Sequence, residues 1–159
     1  MLERLQTLNI PIYKIPLFAN DFTKQYRNSL HNINLVAGVR ELLIELNKRG
    51  YQLAIVSSNS ENIIKDYLAQ NQLEVVKTVL HSTNILNKDR VIKKVLSLHN
   101  FTVQEAIYVG DEFKDLKTCK RLGIKIIWAD WGYDILEADT GDRPDYRVNS
   151  PQQILKILV

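Results

Sequence analysis

The sequence contains one cysteine, Cys119, in 159 residues. A single cysteine excludes an internal disulfide, and its place in the helical pattern KTCKRLG is typical of an ordinary helix residue rather than a metal ligand. Long apolar runs are also missing, since LAIV and IKIIWA are far too short to span a bilayer. The N-terminus lacks the basic and then apolar order of a signal peptide, so we expect a cytoplasmic protein.

The sequence also has no large excess of either positive or negative charge. The 21 basic and 18 acidic residues give a net charge of +3, and the basic residues are scattered without interleaved aromatics. We therefore expect neither nucleic acid nor a membrane as a partner. The composition, 45% apolar and 25% charged, indicates a globular protein with a real hydrophobic core.

Helical and strand patterns alternate from residue 36 onward. This order predicts a layered α/β fold with a mainly parallel sheet. The predicted strands are YQLAIV, VVKTVL, AIYV and IKIIW, and the helices between them include KDRVIKKVLSLH and DLKTCKRLG. Ser58 and Glu61 have the spacing of a capping box for the helix after the first strand, with Ser60 as a competing cap. Ser150 and Pro151 open a terminal helix.

Polar residues follow the strands at the points where ligands bind in such folds, beyond the carboxyl ends. The residues after the first strand are Ser57, Ser58 and Asn59, and those after the third strand are Asp111, Glu112 and Asp115. A lysine, Lys88, begins the helix between the second and third strands. Three acids within five positions repel one another unless a cation neutralises them, which favours a functional role for Asp111.

Hydroxyls, a lysine and carboxylates are the groups needed to hold a phosphate beside Mg²⁺. Glycine-rich phosphate loops are absent, because neither GxGxxG nor GxxxxGK[ST] occurs. Simpler interpretations stay open for each residue. Ser57 and Ser58 are also suited to cap a helix, Lys88 to face solvent, and Asp115 to interact with a helix dipole.

In this order, AIVSSN, KDRVIKKVL and YVGDEFKD resemble the second, third and fourth motifs of the haloacid dehalogenase-like superfamily. The resemblance implies a Rossmann-like three-layer parallel sheet and a Mg²⁺-dependent phosphatase. It implies catalytic roles for Ser57, Lys88 and Asp115, with Ser58 and Asn59 joining Ser57 and Lys88 around the substrate. The resemblance also implies that Asp111 and Glu112 are the metal ligands. WGY and PDYRVNSPQQIL are similar to the phosphoglycolate phosphatase-like branch, which implies a small phosphorylated metabolite as substrate.

The first motif of that superfamily, DxDxT, does not occur in the chain. Its leading aspartate is the nucleophile and its second the general acid and base. One hypothesis takes residues 1–35 as the remnant of a helical cap in a shortened protein, with residues 36–159 as the core. The other takes FANDFT as a decayed motif, with Ala19 at the nucleophile position. Pro11 and Pro16 argue against a central strand there, so we favour the first.

The missing motif has two consequences. We expect negligible phosphatase activity from this chain, or alternatively a non-catalytic binding or regulatory module on the same fold. A phosphoacceptor receiver domain is disfavoured, because its acids precede its lysine in the chain. The resemblance also implies a gap between the strands that precede Ser57 and Asp111. We expect an N-terminal segment or a neighbouring chain, through a homodimer or strand exchange, to fill it, or the sheet to close up.

Overall fold

The computed structural model describes residues 33–82, 85–136 and 141–158, without the side chains of residues 85–87. The chain divides into two compact units, Met1–Leu35 and Val36–Val159, and the second contains nearly all of the described residues. The cap remnant proposed for residues 1–35 and the alternative motif FANDFT lie almost wholly outside the described residues. Both therefore stay predictions.

Helices and strands alternate along the second unit, which confirms the predicted α/β fold class. The helices are α1 (Val39–Lys48), α2 (Glu61–Gln70), α3 (Ile85–Leu98), α4 (Phe113–Leu122) and α5 (Pro151–Ile157), with a 3₁₀ turn at Val103–Glu105. The strands are β1 (Ala54–Ser57), β2 (Thr78–His81), β3 (Ile107–Gly110), β4 (Lys125–Ala129) and β5 (Tyr146–Val148). None of the helices described here is long and apolar enough to cross a membrane.

The described strands form two parallel sheets. One contains β1 and β2, and the other contains β3, β4 and β5 in that order. Ser57 is in register with His81 in the first sheet, and Gly110 with Trp128 in the second. Strand β5 was not predicted from the sequence. Strands β1 and β3 do not pair with each other, so within the described residues the sheet has not closed up.

Helices cover the sheets on both faces. On one face, a cluster joins α3 and α4 to β4, and Val56 and Tyr108 pack against it. The buried residues of this cluster are Ile92, Leu116, Cys119, Ile124, Ile126 and Trp128. On the other face, Leu42 and Leu46 of α1 pack with residues of β4, β5 and α5. This is the three-layer arrangement that the fold class predicts.

The helix after β1 begins at the competing cap. The side chain of Ser60 accepts a hydrogen bond from the Ile63 amide at 3.3 Å, so the predicted capping box of Ser58 and Glu61 is wrong. This leaves Ser58 and Asn59 in a short connection between Ser57, the last residue of β1, and α2. Ser150 and Pro151 do open α5, as predicted.

Candidate functional site

A buried ion pair joins the first turns of the two helices that follow β2 and β3. The Lys88 ammonium donates to the Asp115 carboxylate, with Lys88 only 8% exposed and Asp115 only 4% exposed. The Lys88 nitrogen lies 5.4 Å from the centre of the Tyr108 ring, within cation–π range. The sequence does not mark Tyr108 as a neighbour of the lysine, since the strand pattern indicates only a core residue.

Burial raises the pKa of Asp115, and the opposing attraction of Lys88 does not fully cancel this effect. Burial also raises the pKa of the Tyr108 phenol, so that the ring stays neutral beside the lysine. Gly110 lets the acid approach the strand tip, because a Cβ there would lie 2.8 Å from Asp115 Oδ2. Lys88 is therefore held at the strand tips rather than in solvent.

A turn after β4 holds Asp111 at the tip of β3. The Asp111 Oδ2 atom accepts a hydrogen bond from the Tyr133 amide at 2.7 Å, and its carbonyl accepts one from the Asp134 amide at 3.1 Å. Asp134 in turn accepts from the Phe113 amide at 2.8 Å. A Cβ on Gly132 would lie 1.9 Å from the Asp111 Cβ, so only glycine fits. Gly132 and Asp134 were not predicted; their only sequence signal is WGYD directly after a strand.

Ser57 ends β1 without capping the next helix. Its Oγ accepts a hydrogen bond from the Asn59 amide at 3.1 Å, which leaves the hydroxyl proton to be donated to a ligand. The Ser57 carbonyl accepts from the Ser82 amide at 2.8 Å, which ties this tip to the end of β2. Ser58 is exposed, and the Asn59 carbonyl lies 3.0 Å from the His81 ring.

Ion pairing leaves two carboxylates at these tips, those of Asp111 and Asp134, without a cationic partner in the described structure. Lys88 balances Asp115, and Lys114 lies 2.7 Å from Glu112, whereas the described partner of the Asp111 carboxylate is a backbone amide. The net charge of the described side chains at these strand tips is therefore negative. An anionic ligand needs an additional cation to bind here.

A Mg²⁺ site at these tips is supported in part. Mg²⁺ usually takes one or two protein carboxylates and completes its shell with waters and substrate phosphates. Asp111 fits that role, whereas Glu112 and Asp115 are each engaged by a lysine. No group of three or more metal-ligating side chains forms within the ranges described above. The ligand role of Glu112 and the catalytic roles of Ser57, Lys88 and Asp115 stay predictions.

Comparison with known proteins places these features in one family. The sequence profile of the haloacid dehalogenase-like hydrolases matches residues 3–129. A phosphoglycolate phosphatase from Synechococcus elongatus is 28% identical over 134 residues, which cover 84% of this chain and 63% of the relative. A glyceraldehyde 3-phosphate phosphatase from Pyrococcus furiosus is 29% identical, covering 77% and 54%. The chain thus spans less than two thirds of the length of these relatives.

Solved structures show the same fold. A haloacid dehalogenase-like hydrolase from Streptococcus pneumoniae superimposes with a TM-score of 0.84 at 20% identity, covering all of this chain and 77% of that one. A predicted phosphoglycolate phosphatase from Haemophilus somnus gives a TM-score of 0.82 at 20% identity, covering 94% and 69%. At this identity the likeness establishes the fold alone.

Proposed function

Because the chain belongs to the haloacid dehalogenase-like hydrolase family, we propose that residues 36–159 form the phosphate-binding core of a Mg²⁺-dependent phosphomonoester hydrolase. Three side chains at the strand tips carry the binding. Ser57 donates its hydroxyl proton to a phosphoryl oxygen, Lys88 contributes its ammonium, and Asp111 holds the metal against the same phosphate. The metal, when bound, offsets the negative charge of Asp111 and of the phosphoryl group.

The observation that carries this proposal is the burial of Lys88 against Asp115 at the strand tips. Lysine is almost never fully buried unless it is paired, and holding it there costs desolvation that a surface lysine avoids. An ion pair at the heads of two helices, where α/β folds bind ligands, is better explained by a binding role than by packing.

The substrate class is a small phosphomonoester, with phosphoglycolate-like acids as first candidates. The support is the similarity to proteins named phosphoglycolate phosphatase and glyceraldehyde 3-phosphate phosphatase. Both names describe small, anionic or polar carbon skeletons with one phosphoryl group. This inference rests on resemblance and selects no single compound.

We further propose that these 159 residues alone do not turn over such substrates. The chain contains no DxDxT motif and therefore none of its aspartates stands in the nucleophile position of that motif. Loss of the nucleophile costs on the order of a millionfold in turnover in a well-studied hydrolase. The chain then binds phosphate and Mg²⁺ without hydrolysis.

The test is the rate of p-nitrophenyl phosphate hydrolysis with Mg²⁺, measured beside Asp111→Asn as a matched control. We expect the two rates to be equal within error. A wild-type rate well above that of the variant would overturn the claim of inactivity. Absence of inorganic phosphate binding, measured by calorimetry in the same buffer, would instead favour the non-catalytic module that binds a different ligand.

A further inference from the structure

Helix α4 begins without a cap from its own N-cap residue. The side chain of Glu112 makes no capping hydrogen bond, and its carboxylate lies 2.7 Å from the Lys114 ammonium instead. The first amides of a helix have no partner within the helix, and the residue just before the helix usually accepts a hydrogen bond from one of them. The head of α4 therefore depends on an acceptor from another part of the chain.

That acceptor is Asp134, in the turn that follows β4. Its Oδ2 atom accepts a hydrogen bond from the Phe113 amide at 2.8 Å, across 21 positions of the sequence. The dipole of α4 also favours a negative charge at this end of the helix. Phe113 is itself held by packing, because its ring lies 5.5 Å from the ring of the fully buried Trp128. The Asp134 carboxylate is thus bonded to a well-held part of the core.

The same turn returns hydrogen bonds to the tip of β3. The Tyr133 amide donates to Asp111 Oδ2 at 2.7 Å, and the Asp134 amide donates to the Asp111 carbonyl at 3.1 Å. Hydrogen bonds between the turn and the segment from Asp111 to Phe113 therefore run in both directions. Of these bonds, the one from Phe113 to Asp134 uses a side chain of the turn. A substitution can remove it without changing Asp111.

The two ends of the turn are held in different ways. At its start, Trp131 packs against the cluster of α1 and α5. Gly132 and Tyr133 are exposed, and the side chain of Tyr133 does not lie in the core. At its end, the bond of the Asp134 carboxylate to α4 ties the turn down again. The amide that holds Asp111 therefore lies between a packed residue and a hydrogen-bonded one.

We propose that Asp134 is a positioning residue that holds Asp111 in the orientation for metal binding. By bonding to the head of α4 its carboxylate fixes the turn, and the Tyr133 amide of that turn fixes one oxygen of Asp111. Groups that orient a metal ligand without touching the metal typically change metal affinity about 10–100-fold when they are removed. The metal step rests on the proposed function, whereas the positioning step does not.

The variants Asp134→Ala and Asp134→Asn separate the hydrogen bond from the charge. Alanine removes the acceptor, whereas asparagine keeps a carbonyl oxygen that can accept from the Phe113 amide. The matched control is Ser60→Ala, which removes the side-chain cap of α2 at the Ile63 amide. Helices α2 and α4 are each 10 residues long, so the two alanine variants lose comparable caps. Thermal unfolding reports the loss of stability in each variant.

Amide hydrogen exchange, followed by NMR without metal, measures the positioning. We expect the Tyr133 amide to exchange about tenfold faster in Asp134→Ala than in the wild type, because the turn opens more often. Asp134→Asn and Ser60→Ala should exchange at the wild-type rate. An unchanged rate in Asp134→Ala, or equally fast exchange in Asp134→Asn, would overturn the positioning role.

Calorimetric titration of Mg²⁺ in the presence of inorganic phosphate measures the consequence. Asp134→Ala should bind Mg²⁺ about tenfold more weakly or worse, and Asp134→Asn and Ser60→Ala should bind it as the wild type does. Wild-type affinity in Asp134→Ala, or an equal loss in Ser60→Ala, would overturn the proposal, because the residue would then be only a helix cap. No Mg²⁺ binding by the wild type would contradict the proposed function, and the exchange rates would still decide whether Asp134 positions Asp111.

Discussion

Lys88 and Asp115 form an ion pair that is buried between the first turns of α3 and α4. The two residues are 27 positions apart in the sequence, and neither has another charged side chain of opposite sign as a described hydrogen-bond partner. Each is therefore the main compensation for the other's desolvation. The proposed phosphate site at the strand tips therefore includes a sensitive part of the core.

Removing one member of this pair should cost more stability than removing both. Lys88→Met leaves the Asp115 carboxylate buried and unpaired, which should lower the free energy of unfolding by about 3–5 kcal/mol. The double variant Lys88→Met with Asp115→Asn removes both charges and should recover much of this loss. Urea unfolding followed by circular dichroism measures both effects. Additive losses in the double variant would show that the two residues are not coupled.

Gly132 should be required for the position of Asp111. In Gly132→Ala the new methyl group would displace the Asp111 carboxylate, because the space is already occupied. We expect phosphate affinity in the presence of Mg²⁺ to fall about tenfold or more, with a smaller change in the absence of the metal. Gly141→Ala is the matched control, since nothing lies within 4 Å of a Cβ there. Equal affinities of the two variants would argue against this positioning role.

Asp145 should stabilise the protein in a pH-dependent manner. Burial raises its pKa, but hydrogen bonds from the Ile126 amide at 2.9 Å and the Lys120 ammonium at 3.2 Å outweigh burial and hold the pKa below its ordinary value. Because the folded pKa is lowered, the stabilisation is present above the ordinary aspartate range of about 4 and is lost as pH falls through the folded value.

The variant Asp145→Asn tests this dependence. Because solvent screens this exposed carboxylate, the variant should cost less than about 1 kcal/mol near neutral pH, and the difference from wild type should shrink as the pH is lowered below about 4. Thermal unfolding over that pH range is the measurement, with Asp142→Asn as a control at an exposed aspartate. A deficit that stays constant down to the lowest pH would show that charge is not its cause.

Cys119 should be protected from thiol reagents in the folded protein. Its side chain is fully buried in the α4 cluster, and burial raises the pKa of the thiol to about 12. Reaction with an aromatic disulfide reagent at about pH 8 should therefore be slow, and should become fast in concentrated urea. Rapid reaction without denaturant would indicate that the packing of α4 against β4 opens readily.

The strands of the fold were predictable from the sequence where they coincide with apolar runs. The buried run of β4 and the heavily apolar β3 have clear patterns, and the acidic residues after β3 marked its tip correctly. Strand β5 escaped prediction because Tyr146 and Arg147 are exposed and only Val148 is buried. A single buried residue produces no periodic pattern.

The polar residues at the strand tips were predictable from the sequence, but their contacts were not. The motif order predicts that Lys88 and Asp115 lie near a phosphate, which stays a prediction, but their pairing depends on how α3 packs against α4, which sequence spacing does not encode. The same holds for the turn at Gly132 and Tyr133, which reaches Asp111 from 22 residues away in the chain. Long-range packing decides both relationships.

The central claim is that Ser57, Lys88 and Asp111 surround one phosphate together with Mg²⁺. Calorimetric titration of inorganic phosphate, with and without Mg²⁺, tests it most directly. We predict one phosphate bound per chain only when Mg²⁺ is present, with affinity about tenfold weaker in Ser57→Ala and unchanged in the helix-cap variant Ser60→Ala. No binding with Mg²⁺, or a Ser57→Ala affinity equal to that of the wild type, would contradict the account.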